Sequence, residues 1–336
     1  MRAMVVHRPA AIESNPLVRA DLPTPTPAAG EILVRVTACG VCRTDLHVCE
    51  GDLTPKHPRI VPGHEIVGVV ERLGAGCKRF ATGARVGIAW LRETCGVCAY
   101  CRRGRENLCP NARFTGWDHD GGYAEYAAVR EDFAYALPAA VPDAEIAPLL
   151  CPGIIGYRAI KRAGVRPGAT VGLYGFGGSA HLAIQVLRHW GCEVFVMSRG
   201  GVHQELAREL GAAWTGAADE RPPRPLDAAI LFAPAGNLVL PALAALDRGG
   251  ILAVAGIYLS PIPALDYDRH LFYEKELRSV TANTRADGEE FLKLAGEIPI
   301  RTHTIAMELE EANRALTMLK HDELKGTAVL RISRSS

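Results

Sequence analysis

The sequence has no apolar run long enough to cross a bilayer, no surplus of either charge, and no internal repeat or low-complexity stretch. The first absence excludes a helical membrane span. The second, a formal net charge of +1, removes the electrostatic footprint that nucleic acid or an anionic membrane calls for. The third excludes repeat arrays and compositionally biased disordered tracts. The opening stretch MRAMVVHRPA has neither a long apolar core nor a small-residue cleavage pattern, so it does not read as a signal peptide, and a cytoplasmic location is the expectation. What remains is an ordinary globular composition, 48% hydrophobic and 22% charged. The 336 residues are enough for two domains and a large core, and the expected partner is a small molecule.

Against that background the ten cysteines stand out, because a reducing compartment disfavours disulfides and clustered thiols there point to metal or catalysis. Eight of the ten fall between Cys39 and Cys109. The tightest group is CGVCAYCRRGRENLC, which holds Cys95, Cys98, Cys101 and Cys109. Four thiolates in one short loop can close a tetrahedral shell around Zn²⁺ and leave no position for a substrate, so the group reads as a structural zinc lobe over about residues 92–112. The RRGR inside it reads as a solvated face rather than a nucleic-acid contact.

The pattern of the chain changes near Cys151. Before it lie short β-prone runs punctuated by Gly and Pro, among them EILVRVTACG (Glu31–Gly40), IVGVVERLG (Ile66–Gly74) and GGYAEYAAV (Gly121–Val129), which predict a β-rich domain. After it strand and helix alternate: ATVGLY, SAHLAIQVLRHWG, EVFVM, HQELARELGA, DAAILFA, NLVLPALAAL, GILAVAG, a helix over RHLFYEKEL and a strand over RSVTA. Leu182, Ala183, Val186, Leu187 and Trp190 recur at helical spacing, with Gly191 as the stop. The alternation predicts a Rossmann-type, doubly wound parallel sheet over 152–285. The tail, a helical EEANRALTMLK followed by the strand TAVLRIS, is too short to stand alone, so 286–336 is expected to rejoin 1–151.

Between the first strand and the first helix of the parallel sheet, Gly175, Gly177 and Ala180 form G-x-G-x-x-A, with Gly178 inside the turn. The first glycine permits the tight turn, the second lets backbone approach a pyrophosphate, and the alanine allows close helix–strand packing. The second strand ends in Ser198 and Arg199 rather than in the acid that would bond a ribose 2′-hydroxyl. A hydroxyl and a guanidinium suit a 2′-phosphate, so NADP(H) is favoured over NAD(H); the alternative is that Arg199 stacks on adenine. Three scattered residues remain. Cys42 in CGVCRTDLH, His64 in PGHEIVG and Cys151 in LLCPG are individually weak signals, but together they offer two thiolates and one imidazole, an open zinc set.

Taken in order and separation, CGVCRTDLH, PGHEIVGVV, the four-cysteine lobe, DGGYAEY, LLCPGIIGYRAIK and VGLYGFGGSAHLAIQ resemble a zinc-dependent alcohol dehydrogenase of the medium-chain dehydrogenase/reductase superfamily, nearly end to end. The resemblance implies a Rossmann domain beside a GroES-like catalytic domain and two Zn²⁺ per subunit. It implies Cys42, His64 and Cys151 as catalytic zinc ligands, with Cys39 merely buried, and Glu65 able to approach the metal. Asp45 would fix the tautomer of His64 from behind. Thr44 would touch the substrate oxygen, His47 would end a proton relay through the cofactor ribose, and Arg43 would reach a cofactor phosphate. It further implies a homodimer or homotetramer that interconverts alcohols with aldehydes or ketones. Ile155, Pro152 and Thr327 depart from the family pattern at positions that grip the cofactor. Trp90 and Trp117 are candidate pocket walls for an apolar or aromatic substrate. A zinc-free quinone or enoyl reductase fits poorly with a full ligand set, and a non-enzymatic cofactor sensor has no use for the Thr44–His47 relay.

Overall fold

The computed structural model describes residues 1–324 and 326–332. The chain divides into two compact units: Met1–Cys151 together with the chain from Ala282 onward, and Pro152–Thr281. The sequence pattern puts the second boundary at 285/286. Residues 282–285 belong with the first unit because they are tied there: Asn283 Nδ2 donates to Tyr135 Oη at 3.3 Å, and the Arg285 amide donates to Glu106 at 2.9 Å. Ser333, the last residue of the expected TAVLRIS strand, lies outside the described residues, as do the three after it.

The first unit is built on a seven-stranded sheet centred on β1 (Glu31–Gly40) and β2 (Glu65–Leu73), which run antiparallel. One edge of β1 is shared by two strands: Tyr126–Arg130 pairs with its first half and Thr327–Arg331 with its last residues. β2 continues the sheet to Arg85–Ile88 and Ala134–Ala136, and Thr304–Glu308 adds the far edge. Ile32, Val34, Val36, Ile66, Val70, Val86, Ile88 and Phe133 pack into one core, all essentially buried. Gly40 pairs with Glu65 and Cys39 with Ile66, a register in which the end of β1 meets the start of β2. That juxtaposition brings the residues after β1 beside those before β2, although about twenty residues of chain separate them.

Helix α1 (Arg43–Glu50) starts directly after β1. Its N-cap is Cys42, an uncommon choice, and the cap works because Asp45 supplies the acceptor: Asp45 Oδ2 takes the Cys42 amide at 2.9 Å. Gly51 ends the helix at φ +89°, a backbone state that glycine adopts without strain. The stretch GGYAEYAAV is a strand only from Tyr126; its first part runs irregularly across residues 60–63.

The second unit is a six-stranded parallel sheet: β3 (Thr170–Tyr174), β4 (Glu193–Met197), β5 (Trp214–Gly216), β6 (Leu226–Leu231), β7 (Leu246–Val254) and β8 (Glu276–Ser279), in the order β5-β4-β3-β6-β7-β8. β3 is buried at every residue, as a parallel strand covered on both faces must be. Helix α2 (Pro152–Arg162) packs against α3 (Gly178–His189) and β7, α3 against β4, and α4 (Gly201–Glu209) against β4 and β5. α3 buries Leu182, Ala183, Val186 and Leu187 as the periodicity predicts, while Trp190 stays half-buried as its C-cap. The helix expected over Arg269–Leu277 is not there. A single turn, Tyr267–His270, is capped by Asp266, and Glu274 takes φ +56°, which no helix tolerates. The last strand consequently begins at Glu276 rather than at Arg278. Among the described residues no helix is long and apolar enough to cross a membrane.

Candidate active site and metal centres

The β1–β2 register assembles the first cluster. Cys42, His64, Glu65 and Cys151 bring one ligand atom each within 4.8 Å of one another. The Cys42 and Cys151 sulfurs are 3.8 Å apart. Two thiolates on one tetrahedral zinc at about 2.3 Å per bond would sit about 3.8 Å apart, so the donor spacing fits that metal. His64 is fully buried, and its Nε2 has no hydrogen-bond partner, an arrangement that is costly unless something electrophilic takes the lone pair. Both Glu65 oxygens are also buried without partners.

The other face of His64 is fixed. Its Nδ1 lies 2.8 Å from Asp45 Oδ1, so Asp45, itself 1% exposed, selects the tautomer that leaves Nε2 toward the cluster. Burial and the mutual contacts of the cluster shift its titratable groups. The hydrogen bond with Cys151 holds the Cys42 thiol well below its ordinary range, against burial and with help from His64 beside it. The same hydrogen bond, with burial, pushes the Cys151 thiol up. Burial above all, then the Cys42 charge, pushes Glu65 well above the ordinary carboxylate range. Loading a divalent metal onto these groups must release protons.

The other predicted residues fall around this centre. Thr44 Oγ1 is 3.9 Å from Cys42 Sγ. His47, one turn of α1 further on, has Nδ1 2.7 Å from Asp52 Oδ2. Arg43 turns away, donating to the Leu319 carbonyl and Asp322 Oδ1, each at 3.3 Å. Cys39 is fully buried, as expected. Trp90 stands edge-on to His64, ring centroids 5.1 Å apart, and stacks on Phe114 at 4.9 Å and Trp117 at 6.2 Å. Trp117 is pinned by its indole N–H to the Thr54 carbonyl at 3.0 Å and by the Lys56 ammonium 3.6 Å above its ring. Phe114, the middle member of this slab, was not singled out by the sequence; its place three residues before Trp117 in RFTGW was the available hint.

The second cluster is closed. Cys98 and Cys101 sulfurs are 3.5 Å apart, Cys95 and Cys109 3.5 Å, and Cys95 and Cys101 4.0 Å. All ten cysteines are free thiols. Backbone amides of Val97 and Cys98 lower the Cys95 thiol to about 6, which suits a thiolate ligand. Arg102, Arg103 and Arg105 point to solvent, the bland outcome expected for RRGR. Glu106, at the end of the lobe, accepts the Arg285 amide and guanidinium at 2.9 and 3.0 Å and fastens the lobe to its unit.

In the second unit the Gly-rich turn joins β3 to α3. Gly175 takes φ +85°, and a Cβ there would meet the Ala233 amide nitrogen at 2.8 Å. A Cβ on Gly177 would meet nothing within 4 Å, so the turn is open where a ligand would approach, and Gly178 is likewise exposed. Ala180 is fully buried. At the end of β4, Ser198 is buried and its hydroxyl reaches only its neighbour's carbonyl, at 3.5 Å, while Arg199 is exposed.

Residues 28–139 match the family model described as the alcohol dehydrogenase GroES-like domain. The chain is 56% identical over 337 residues to a probable alcohol dehydrogenase AdhA of Mycobacterium tuberculosis (strain CDC 1551 / Oshkosh), covering 99% of this chain and 97% of that protein. Its fold is similar to that of a cinnamyl alcohol dehydrogenase from Sorghum bicolor, with a TM-score of 0.89 at 26% identity over 100% and 98% of the two chains. It is also similar to a cobalt- and zinc-bound thermostable alcohol dehydrogenase from Pyrobaculum aerophilum, with a TM-score of 0.88 at 28% identity over 98% and 99%.

The burial of Glu65 has a thermodynamic consequence in the metal-free protein. A carboxyl whose pKa is raised by folding keeps its proton in the folded state while the unfolded chain releases it, so stability is lost as pH rises from the ordinary carboxylate value toward the folded one. Glu65→Gln mimics the protonated acid. Metal-free Glu65→Gln is expected to be more stable than the metal-free parent at pH 8, with the gap closing near about pH 4. Urea unfolding at both pH values measures this; equal stability at pH 8 would contradict it.

Proposed function

Because the chain belongs to the alcohol dehydrogenase family of the medium-chain dehydrogenase/reductase superfamily, we propose that it is a zinc-dependent oxidoreductase that exchanges hydride between an apolar or aromatic alcohol, or the matching aldehyde or ketone, and NADP(H). The observation that carries this reading is the buried, partnerless Nε2 of His64 beside two sulfurs at tetrahedral spacing. Cys42, His64 and Cys151 would hold the catalytic zinc, and Cys95, Cys98, Cys101 and Cys109 a structural one. Zinc, when bound, supplies a Lewis acid for a hydroxyl or carbonyl oxygen. The nicotinamide, when bound, supplies the hydride chemistry.

The chain's own residues supply the rest. Thr44 offers a hydroxyl beside Cys42 that can pass a proton from the substrate oxygen, and His47, oriented by Asp52, receives it. Trp90 walls the site on the His64 side, and its stack with Phe114 and Trp117 keeps that wall flat and rigid, which favours planar apolar substrates over sugars or polyols. Gly175, Gly177, Gly178 and Ala180 form the cradle for the pyrophosphate, and Ser198 with Arg199 would take the 2′-phosphate. Exposed Ile257, Tyr258, Ile262, Phe272 and Leu277 on the second unit support assembly into a homodimer or homotetramer.

A panel of aromatic, aliphatic and polyol substrates, run with NADPH and NADH separately and before and after zinc chelation, tests the reading. Turnover of aromatic alcohols or aldehydes that disappears on chelation is expected; no turnover by zinc-loaded protein would sink it. Cys42→Ser is expected to abolish turnover while NADPH still binds, as fluorescence titration would report. Arg199→Ala is expected to raise KM for NADPH by about tenfold or more, as loss of a charge-assisted bond implies, with little effect on NADH. A parent that prefers NADH would overturn the phosphate assignment alone. Sedimentation at micromolar concentration is expected to show an oligomer, and a monomer would remove that part of the proposal.

A further inference from the structure

The DGGYAEY stretch has no part in the chemistry above, yet its first four residues lie directly on the segment that delivers His64. Asp120 Oδ1 accepts the Val61 amide at 3.0 Å, and Asp120 Oδ2 accepts Arg59 at 3.0 Å. The Gly121 amide donates to the Val61 carbonyl at 2.7 Å, the Gly122 amide to the Gly63 carbonyl at 2.9 Å, and the Tyr123 amide to the Pro62 carbonyl at 3.0 Å. The two glycines are required by this contact. A Cβ on Gly121 would overlap the Gly63 carbonyl, and one on Gly122 would meet Cys39 Sγ at 2.9 Å. Tyr123 then folds inward. It is fully buried, its ring fills the space over Gly63, and its hydroxyl donates to Asp45 Oδ2 at 3.2 Å.

The hydroxyl completes a pattern. Asp45 Oδ1 accepts from the Gly63 amide at 3.1 Å and faces His64 Nδ1 at 2.8 Å; Oδ2 accepts from the Cys42 amide at 2.9 Å and from Tyr123. Two of these donors lie on the segment carrying His64 and one on the residue that is itself a ligand. The Tyr123 hydroxyl is the remaining one, and it comes from a strap that already grips residues 61–63 by backbone.

We propose that Asp120–Tyr123 is a template that holds the catalytic metal site in its ligating geometry, with Tyr123 as a positioning residue acting through Asp45 on His64 and Cys42. The proposal rests on the zinc reading above and deepens it. Without the hydroxyl, Asp45 Oδ2 keeps only the Cys42 amide, so the carboxylate is held less tightly and the orientation it imposes on His64 loosens. The cost falls on metal retention first.

The test uses the zinc-loaded, full-length protein. In Tyr123→Phe, zinc release to a colorimetric chelator is expected to be about tenfold faster from the catalytic site, the lower end of what losing such a partner costs. Release from the four-cysteine centre, read in the same trace, is expected to stay at the parent value, while the melting temperature of the metal-free protein falls only by what one buried hydrogen bond costs. With cobalt(II) in place of zinc, the ligand-field band of the catalytic site is expected to shift in Tyr123→Phe. It is expected to stay put in Tyr135→Phe, a buried tyrosine whose hydroxyl meets Asn283 instead. Should Tyr123→Phe fail to fold, Asp120→Asn, at the half-buried end of the strap, carries the same expectation. Catalytic-site release within about twofold of the parent in the folded variant overturns the template. A parent that takes up only one zinc sinks the metal reading and the template together; a parent with two zincs, one of them indifferent to Tyr123, sinks the template alone.

Discussion

The whole first unit is organised around one buried carboxylate. Asp45 is 1% exposed, so its carboxyl oxygens must find hydrogen-bond donors inside the fold. Donors from the end of β1, from the residues before β2 and from Tyr123 meet them. Because those donors come from three distant parts of the chain, satisfying the charge and closing the site are the same event. The pairing of β1 with β2 brings two of these segments together, and the carboxylate ties the third to them through Tyr123.

The two cysteine clusters solve different problems with the same side chain. Four sulfurs within one short loop need little from the rest of the fold, and the lobe is accordingly solvent-facing, flanked by exposed arginines and held by Glu106 and Arg285. The other cluster draws on Cys42, His64 and Cys151, and its fourth neighbour is Glu65, a carboxyl whose pKa burial raises. A fourth thiolate in that place would make the set a closed one, like that of the loop.

How much of this was legible in the sequence depends on where each signal is stored. β1, β2, the four-cysteine loop and the Gly-rich turn are local: apolar runs, short cysteine spacings and a strand–turn–helix context are visible in windows of ten or fifteen residues. The misread helix over Arg269–Leu277 shows the limit of the same method. Its apolar residues, Phe272 and Tyr273 among them, sit on an exposed surface, and the left-handed Glu274 that ends the turn leaves no mark on periodicity. The candidate ligands Cys42, His64 and Cys151 are individually weak signals and took their roles from the resemblance, since Cys42 and Cys151 are 109 residues apart and nothing local joins them. Tyr123 was in view within DGGYAEY, but its partner lies 78 residues earlier, and no spacing rule reaches that far.

The discontinuity of the first unit also bears on the order in which a ribosome would let this molecule form. The second unit is contiguous, so its sheet can close as soon as Thr281 has emerged. The first cannot. Until residues 327–331 appear, the last residues of β1 lack their partner strand, and the Val41 amide, next to Cys42, lacks the Ala328 carbonyl that holds it at 2.9 Å. On that edge the last residues of β1 stay unpaired until then, although β2 holds their other side, while the four cysteines of the loop are all present once Cys109 is made. The four sulfurs of the loop can therefore meet once Cys109 has been made, whereas the backbone beside Cys42 takes its last hydrogen bond only after Ala328.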